Sequence, residues 1–226
     1  SFKEPVWRLV EFDMRKVGEK QLEDIEVTQT KLNNNKHYTL ITLAKLNHKP
    51  KSSTIAKIKE HLASMYRHYI DSDEIEIWVD NKRLSYNEPK ILKSAYYKDI
   101  EEGIIKNPKK LNWKKKFEFE YSGGLVDGIV GILEKGKVKQ PGFSIFRKNR
   151  LICGTTESPW KPEKIFGQAN DRRQQCLFGE INLDHISVAF SKNDFVWSDT
   201  EKDKFKNLLK NAIEFIDDKE EKSIIR

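Results

Sequence analysis

Two runs with a two-residue period open the chain. Residues 22–32 (LEDIEVTQTKL) and 37–46 (HYTLITLAKL) alternate on either side of Asn33, Asn34, Asn35 and Lys36. Alternation across a short Asn-rich turn predicts a β-hairpin, which needs cover from elsewhere because a lone hairpin is marginal in water. The period then changes. Ile55, Ile58, Leu62, Met65 and Tyr69 recur at helical spacing, with Ser52 or Ser53 placed as N-cap. Residues 74–80 (EIEIWVD) and KRLSY flank an Asp80-Asn81 turn, a second hairpin signal. FEFEY (117–121) and LVDGIVGIL (125–133) flank Gly123-Gly124 and predict an antiparallel pair. GFSIFRKNRLICG reads as strand, tight turn at Lys148-Asn149, strand. KPEKIF and DRRQQCLF predict short helices, and EINLDHISVAF an extended segment with a buried strand over 186–190. Phe205, Leu208, Leu209, Ala212, Ile213 and Ile216 form one stripe of a closing helix over 203–216, and Ser198 with Glu201 makes a capping box before it.

This order of elements predicts a mixed α/β or α+β chain built on a largely antiparallel or mixed sheet. The charged stretch around Pro50 marks a boundary. Twelve Phe, seven Tyr and five Trp supply material for a core, although 34% of the residues are charged. The net charge of +7 favours acidic partners such as nucleic acid, nucleotides or anionic surfaces.

Cys153 and Cys176 have neither metal spacing nor a disulfide framework, so they read as buried inert thiols in a reduced, cytoplasmic compartment. No apolar run approaches the roughly 20 residues needed to cross a bilayer, and the start SFKEPVW does not read as a signal peptide. His37, His48, His61, His68 and His185 make no metal constellation. Gly142-Phe143-Ser144 lacks the closing glycine of a nucleophile elbow.

Two stretches carry a resemblance. GFSIFRKNRLI (142–152), and the Ser191-Lys192-Asn193-Asp194-Phe195 turn within 177–197, are similar to the second, transducer domain of GHKL-type ATPases (the gyrase B, MutL and MORC group), most closely the MORC branch. Weaker correspondence runs in order over 22–216. The resemblance implies an α+β, transducer-like fold of the ribosomal-protein-S5-domain-2 type, a mixed, largely antiparallel sheet with helices on one side. It further implies that 1–48 are terminal strands of a truncated ATPase domain and 49–226 the transducer-like domain. The family's Glu-x-x-x-Asn helix, Asp-x-Gly-x-Gly loop and Gly-rich lid are missing from the sequence; Asp127-Gly128 with Gly131 has the wrong spacing. The expectation is therefore a fragment that does not hydrolyse ATP alone. It would couple ATP and Mg2+ binding in an N-terminal domain to homodimer closure on DNA or a client.

Within that resemblance Lys192 is the residue that reaches the terminal phosphate of ATP. A fixed ammonium there stabilises the charge that builds during phosphoryl transfer. The bland alternative is a solvated surface lysine. Arg150 and Asp194 are read as supporting the interface to the ATP domain, whereas Arg147 and Lys148 read as an exposed hairpin tip. Arg172 and Arg173 after Asp171 either pair with phosphate or face solvent. A competing class is a non-enzymatic nucleic-acid-binding domain that uses the basic run 106–116: Lys109, Lys110, Lys114, Lys115 and Lys116, with Trp113 able to stack on a base. Its bland counterpart is a solvated strand edge with Trp113 in the core.

Overall fold

Three pairs of consecutive left-handed residues fix the hairpins. Asp80 and Asn81 have φ of 50° and 57°, Ser122 and Gly123 of 47° and 77°, and Lys148 and Asn149 of 48° and 61°. Two successive positive φ values make the tight turn whose twist matches that of paired strands. The computed structural model describes residues 6–11, 27–31, 40–46, 48–95, 110–137 and 140–214. The chain divides into two compact units, Ser1–Lys49 and Pro50–Arg226.

In the first unit β1 (Val6–Val10) pairs antiparallel with β2 (Val27–Lys31), Val6 opposite Lys31 and Val10 opposite Val27. This corrects the expected hairpin between 22–32 and 37–46. Alternation identified 27–31 as a strand but could not identify its partner, and VWRLV, rich in β-formers, takes that place. Residues 40–46 are not strand. Lys45 turns to φ 53°, and Leu40, Ile41, Leu43 and Leu46 are all exposed. The Asn33–Lys36 turn lies outside the described residues.

The second unit contains α1 (Ser52–Met65), α2 (Arg67–Asp71), β3 (Trp78–Val79), β4 (Lys82–Arg83), β5 (Lys93–Ser94), β6 (Leu111–Asn112), β7 (Lys114–Tyr121), β8 (Gly124–Ile132), β9 (Gly142–Arg147), β10 (Arg150–Cys153), α3 (Glu163–Phe166), α4 (Arg173–Cys176), β11 (Leu177–Asn182) and α5 (Asp199–Glu214). Five strands form one sheet in the order β10-β9-β11-β8-β7. The pairing is antiparallel except between β9 and β11, which run parallel. The second unit is thus α+β with a mostly antiparallel sheet.

Helices cover both faces of this sheet, not one. Successive strand residues point to opposite sides. Phe143 and Ile145 of β9 enter an apolar cluster with Ile165, Phe166, Phe205, Leu209 and Ile213, all fully buried. Phe146, their neighbour, faces the other way, where the His68 ring of α2 stacks on it with centroids 4.1 Å apart. Likewise Ile181 of β11 joins the apolar cluster, while Glu180 reaches Arg67 of α2. Family-like expectation placed all helices together because strand alternation alone does not say what lies on the second face.

The closing helix behaves as its stripe predicts. Phe205, Leu209 and Ile213 are fully buried, each contributing roughly 1.5–3 kcal/mol by leaving water. The capping box is formed: Ser198 N–H donates to Glu201 Oε2 at 2.7 Å and Glu201 N–H to Ser198 Oγ at 3.2 Å. Helix α5 therefore begins at Asp199; Ile216 lies outside the described residues. Helix α1 departs from expectation. Lys51 is its N-cap with no side-chain cap bond, in place of Ser52 or Ser53. Ile58 is 42% exposed, while Ala63, Ser64, Arg67 and Ile70 are buried. The helical chain breaks at Tyr66, and it is the Arg67 side that turns onto the sheet.

Candidate functional site

The Ser-Lys-Asn-Asp-Phe turn is the tip of a miniature hairpin. Val188 and Phe195 form a single bridge. Ala189 N–H donates to the Asp194 carbonyl and Val196 N–H to that of Ser187, both at 2.8 Å. Lys192 N–H closes the tip on the Ala189 carbonyl at 2.8 Å, with Lys192 at φ 54°. Phe195 is buried and anchors the turn to the core. The expected buried strand over 186–190 is thereby corrected. Only Val188 pairs, Ile186 and Val188 are half-buried, and Phe190 stands fully in solvent. Backbone bonds of the turn replace a ladder, which frees Phe190 from packing.

Asp194 holds this tip to the sheet. Its Oδ1 accepts the Phe195 N–H at 2.8 Å and the Cys153 thiol at 3.4 Å, and its Oδ2 lies 3.7 Å from Lys202 Nζ. Burial, then the charge of Asp194, pushes the Cys153 thiol up to about 12, so it stays a protonated donor. Cys153 and Cys176 are both half-buried, not fully buried as the sequence suggested, because each sits at the end of its element. Lys192 itself is exposed, and among the described residues its ammonium makes no hydrogen bond or ion pair.

Arg150 opens β10, directly opposite Arg147 of β9. Both are half-buried, and the Nε of each is sealed from water without a hydrogen-bond partner among the described residues. The intervening tip is not free. Lys148 N–H donates to Asp184 Oδ1 at 2.6 Å, and Tyr69 Oη–H donates to the Lys148 carbonyl at 2.7 Å. The reading of Arg147 as an exposed tip residue is corrected accordingly. Arg173 folds back on Asp171, Nη2 to Oδ2 at 2.6 Å.

The basic run divides between strand faces. Trp113 is buried and its Nε1–H donates to the Ser94 carbonyl at 3.1 Å, so it cannot stack on an exposed base. Lys114 and Lys116 are exposed on one side of β7, and Lys115 lies on the same side as Phe117, Phe119 and Tyr121. Lys110 is exposed; Lys109 lies outside the described residues. Strand β7 is one edge of the sheet and β10, which holds Asp194 through Cys153, is the other. Four strand spacings separate them, roughly 19 Å. The lysine run and the Lys192 turn are therefore separate surfaces.

Sequence reasoning missed a charged cluster beneath α2. Arg67 is 3% exposed. Its Nε and Nη2 each lie 2.8 Å from Glu180 Oε1, and its Nη1 donates to the Ser64 carbonyl at 3.0 Å. His68 Nε2 donates to Glu180 Oε2 at 2.9 Å. The guanidinium also lies over the rings of Phe146 and Tyr86, 4.4 and 4.9 Å from their centroids. Burial pushes the Glu180 carboxyl up, but the His68 hydrogen bond and the Arg67 charge outweigh it and hold it below its ordinary range. Burial raises the Tyr86 phenol. Burial and the neighbouring Glu88 charge raise Asp71. The available signal was a glutamate inside the apolar strand LFGEINL. Arg67 and Tyr86 also line a cleft of about 480 Å3 with Lys59, Lys82 and Arg83 near it. Two of those cations are neutralised, Lys59 by Asp80 at 3.1 Å and Arg83 by Asp73 at 2.8 Å.

Among the described residues no group of three or more His, Cys, Asp or Glu is placed to hold a metal ion, and no helix is long and apolar enough to cross a membrane. No family model matches the chain, and no curated protein matches it.

Proposed function

We propose that residues 50–226 are a transducer-type domain of a GHKL ATPase, with Lys192 contacting the terminal phosphate of ATP held by another domain. The observation that carries this reading is the Lys192 tip. Its backbone is fixed by the Val188–Phe195 bridge and by Asp194, while its ammonium has no partner among the described residues. From a fixed backbone mount an unpaired ammonium is available to stabilise the negative charge that builds on a transferring phosphate. Fully exposed Phe190 and the 63% exposed Val196 flank the tip, which suits a surface that meets a second body. Among the described residues the fit is to this phosphate contact, and adenine and Mg2+ would be held by the ATP-binding domain. In that setting ATP-dependent closure of a homodimer, on DNA or a client, is the output.

The test uses the protein with its ATP-binding domain. Lys192→Ala should lower ATP turnover by roughly a hundredfold and weaken ATP-dependent dimerisation in parallel. Unfolding stability should stay within about 0.5 kcal/mol, as for exposed positions generally. Wild-type turnover in that variant would overturn the assignment. A second reading, nucleic-acid binding by Lys110, Lys114 and Lys116, is favoured by their exposure at a sheet edge, but Glu118 and Glu120 continue the same exposed row and divide its field.

A further inference from the structure

We infer that the outer edge of β7 is a docking edge for a second copy of this chain, joined strand to strand without nucleotide. This rests on the edge itself and is independent of the Lys192 reading.

Hydrogen-bond parity along β7 is fixed at both ends. Ile132 N–H donates to the Trp113 carbonyl at 3.0 Å, and Tyr121 faces Gly124 across the two-residue Ser122-Gly123 turn. In an antiparallel ladder every second residue bonds to the neighbouring strand. Lys115, Phe117, Phe119 and Tyr121 thus turn their backbone groups toward β8, as Trp113 does with its carbonyl, while the Trp113 N–H on the same side donates to the Leu92 carbonyl at 3.0 Å. Lys114, Lys116, Glu118 and Glu120 turn theirs outward. Among the described residues no strand pairs with that side. All four side chains are exposed, and among the described residues none makes an ion pair or hydrogen bond.

The order of charge selects the occupant. Read along the edge it is plus, plus, minus, minus. An antiparallel second copy centred on Phe117 places Lys114 opposite Glu120 and Lys116 opposite Glu118, each twice by symmetry. These same residues are the ones whose N–H and C=O groups meet across such a junction, so backbone and side chains agree on one register. A slip of two residues in one direction sets Lys116 against itself; in the other direction it sets Glu118 against itself. Parallel in-register alignment opposes like charges at every position. Charged edges ordinarily deter pairing, whereas here the register centred on Phe117 is the antiparallel one in which every facing charge pair is attractive, and each two-residue slip trades attractive pairs for a like-charge pair. The resulting contact is isologous, as a two-fold dimer requires.

Sedimentation of the chain without nucleotide tests this. The wild type should pass from monomer to dimer with concentration, and added salt should weaken the step. K114E/K116E makes the edge wholly acidic and E118K/E120K makes it wholly basic. Each alone should associate at least about tenfold more weakly, because attractive pairs become repulsive. Mixing the two should restore a one-to-one dimer, which also shows that both are folded. Hydrogen exchange on the wild type gives a reading free of variants: the Lys116 and Glu118 amides should become slower at high concentration. A wild type that stays monomeric at every concentration overturns the proposal. So does a dimer indifferent to both charge reversals, a mixture that stays monomeric, or exchange at those amides that ignores concentration.

Discussion

Under α5 the sheet is closed by Phe205, Leu209 and Ile213, whose side chains have no access to water. Phe205 alone meets the rings of Phe119, Tyr121, Trp160 and Trp197 at 5.2–6.0 Å between centroids. Under α2 the same sheet is closed by a guanidinium, an imidazole and a carboxylate, with Glu180 still 24% exposed. The dry face gains stability in proportion to area and tolerates small changes of angle. On the charged face α2 is a helix of only five residues, too short to bury much area by itself, although the end of α1 adds buried Ala63 and Ser64 beside it. Its hydrogen bonds require one orientation of Arg67 against Glu180. The contrast shows how one sheet holds a long helix by surface and a short one by geometry.

The largest effect is expected on the dry face. Phe205→Ala should lower unfolding stability by about 3–5 kcal/mol, measured by urea titration, because the aromatic neighbours cannot collapse into the void. A loss below about 1 kcal/mol would mean that α5 is not the main cover of the sheet. On the charged face Glu180→Gln should cost less, about 2–3 kcal/mol, since water reaches part of the site. Combining it with Arg67→Met should recover part of that loss, giving a coupling of at least about 1 kcal/mol in a double-mutant cycle. The same residue sets an acid response. Its carboxyl titrates below the ordinary value of 4.5 in the folded chain, so the unfolded chain takes up the proton first. The Glu180 contribution is therefore complete above pH 4.5 and disappears as pH falls through the lower folded value. Urea titrations at neutral and acid pH should show a shallower acid loss in Glu180→Gln than in the wild type; equal slopes would remove Glu180 from the account. The smallest effect belongs to the helix start. Ser198→Ala should cost about 1 kcal/mol by opening the capping box. A much larger loss would show that α5 depends on its cap more than on Phe205, reversing the description of the dry face.

The dry face was readable in advance because its information is periodic. Phe117, Phe119 and Tyr121 alternate, Phe205, Leu209 and Ile213 recur at helical spacing, and Ser198 with Glu201 marks the start. The Lys148-Asn149 and Asp80-Asn81 turns were readable because asparagine tolerates left-handed backbone. The charged face was not, since pattern reading assigns arginine, histidine and glutamate to solvent. Arg67 and Glu180 are 113 residues apart in sequence, and nothing local announces a partner at that distance. The Ser191–Phe195 turn was located by its motif, but its packing was not. Phe190 was assigned to a buried strand on apolarity, whereas the turn's own backbone bonds leave it outside. Residues 40–46 failed for a related reason: alternation was present, but an extended segment becomes a strand only when another strand accepts it.

Strand β11 lies between β8 and β9 in the sheet although it follows both in the chain. During synthesis the β7–β8 and β9–β10 hairpins can each close locally as soon as they emerge, yet nothing joins them until Asn182 has been added. At ordinary elongation rates the interval from Cys153 to Asn182 lasts roughly 1.5–6 s. Throughout it the inner edges of both hairpins remain open beside unburied phenylalanines. The parallel pairing of β9 with β11, which must bridge β10, α3 and α4, is the slow non-local step. A nascent chain arrested before Leu177 would therefore present two competent hairpins and no sheet, the state in which chaperone contact and misassociation are concentrated.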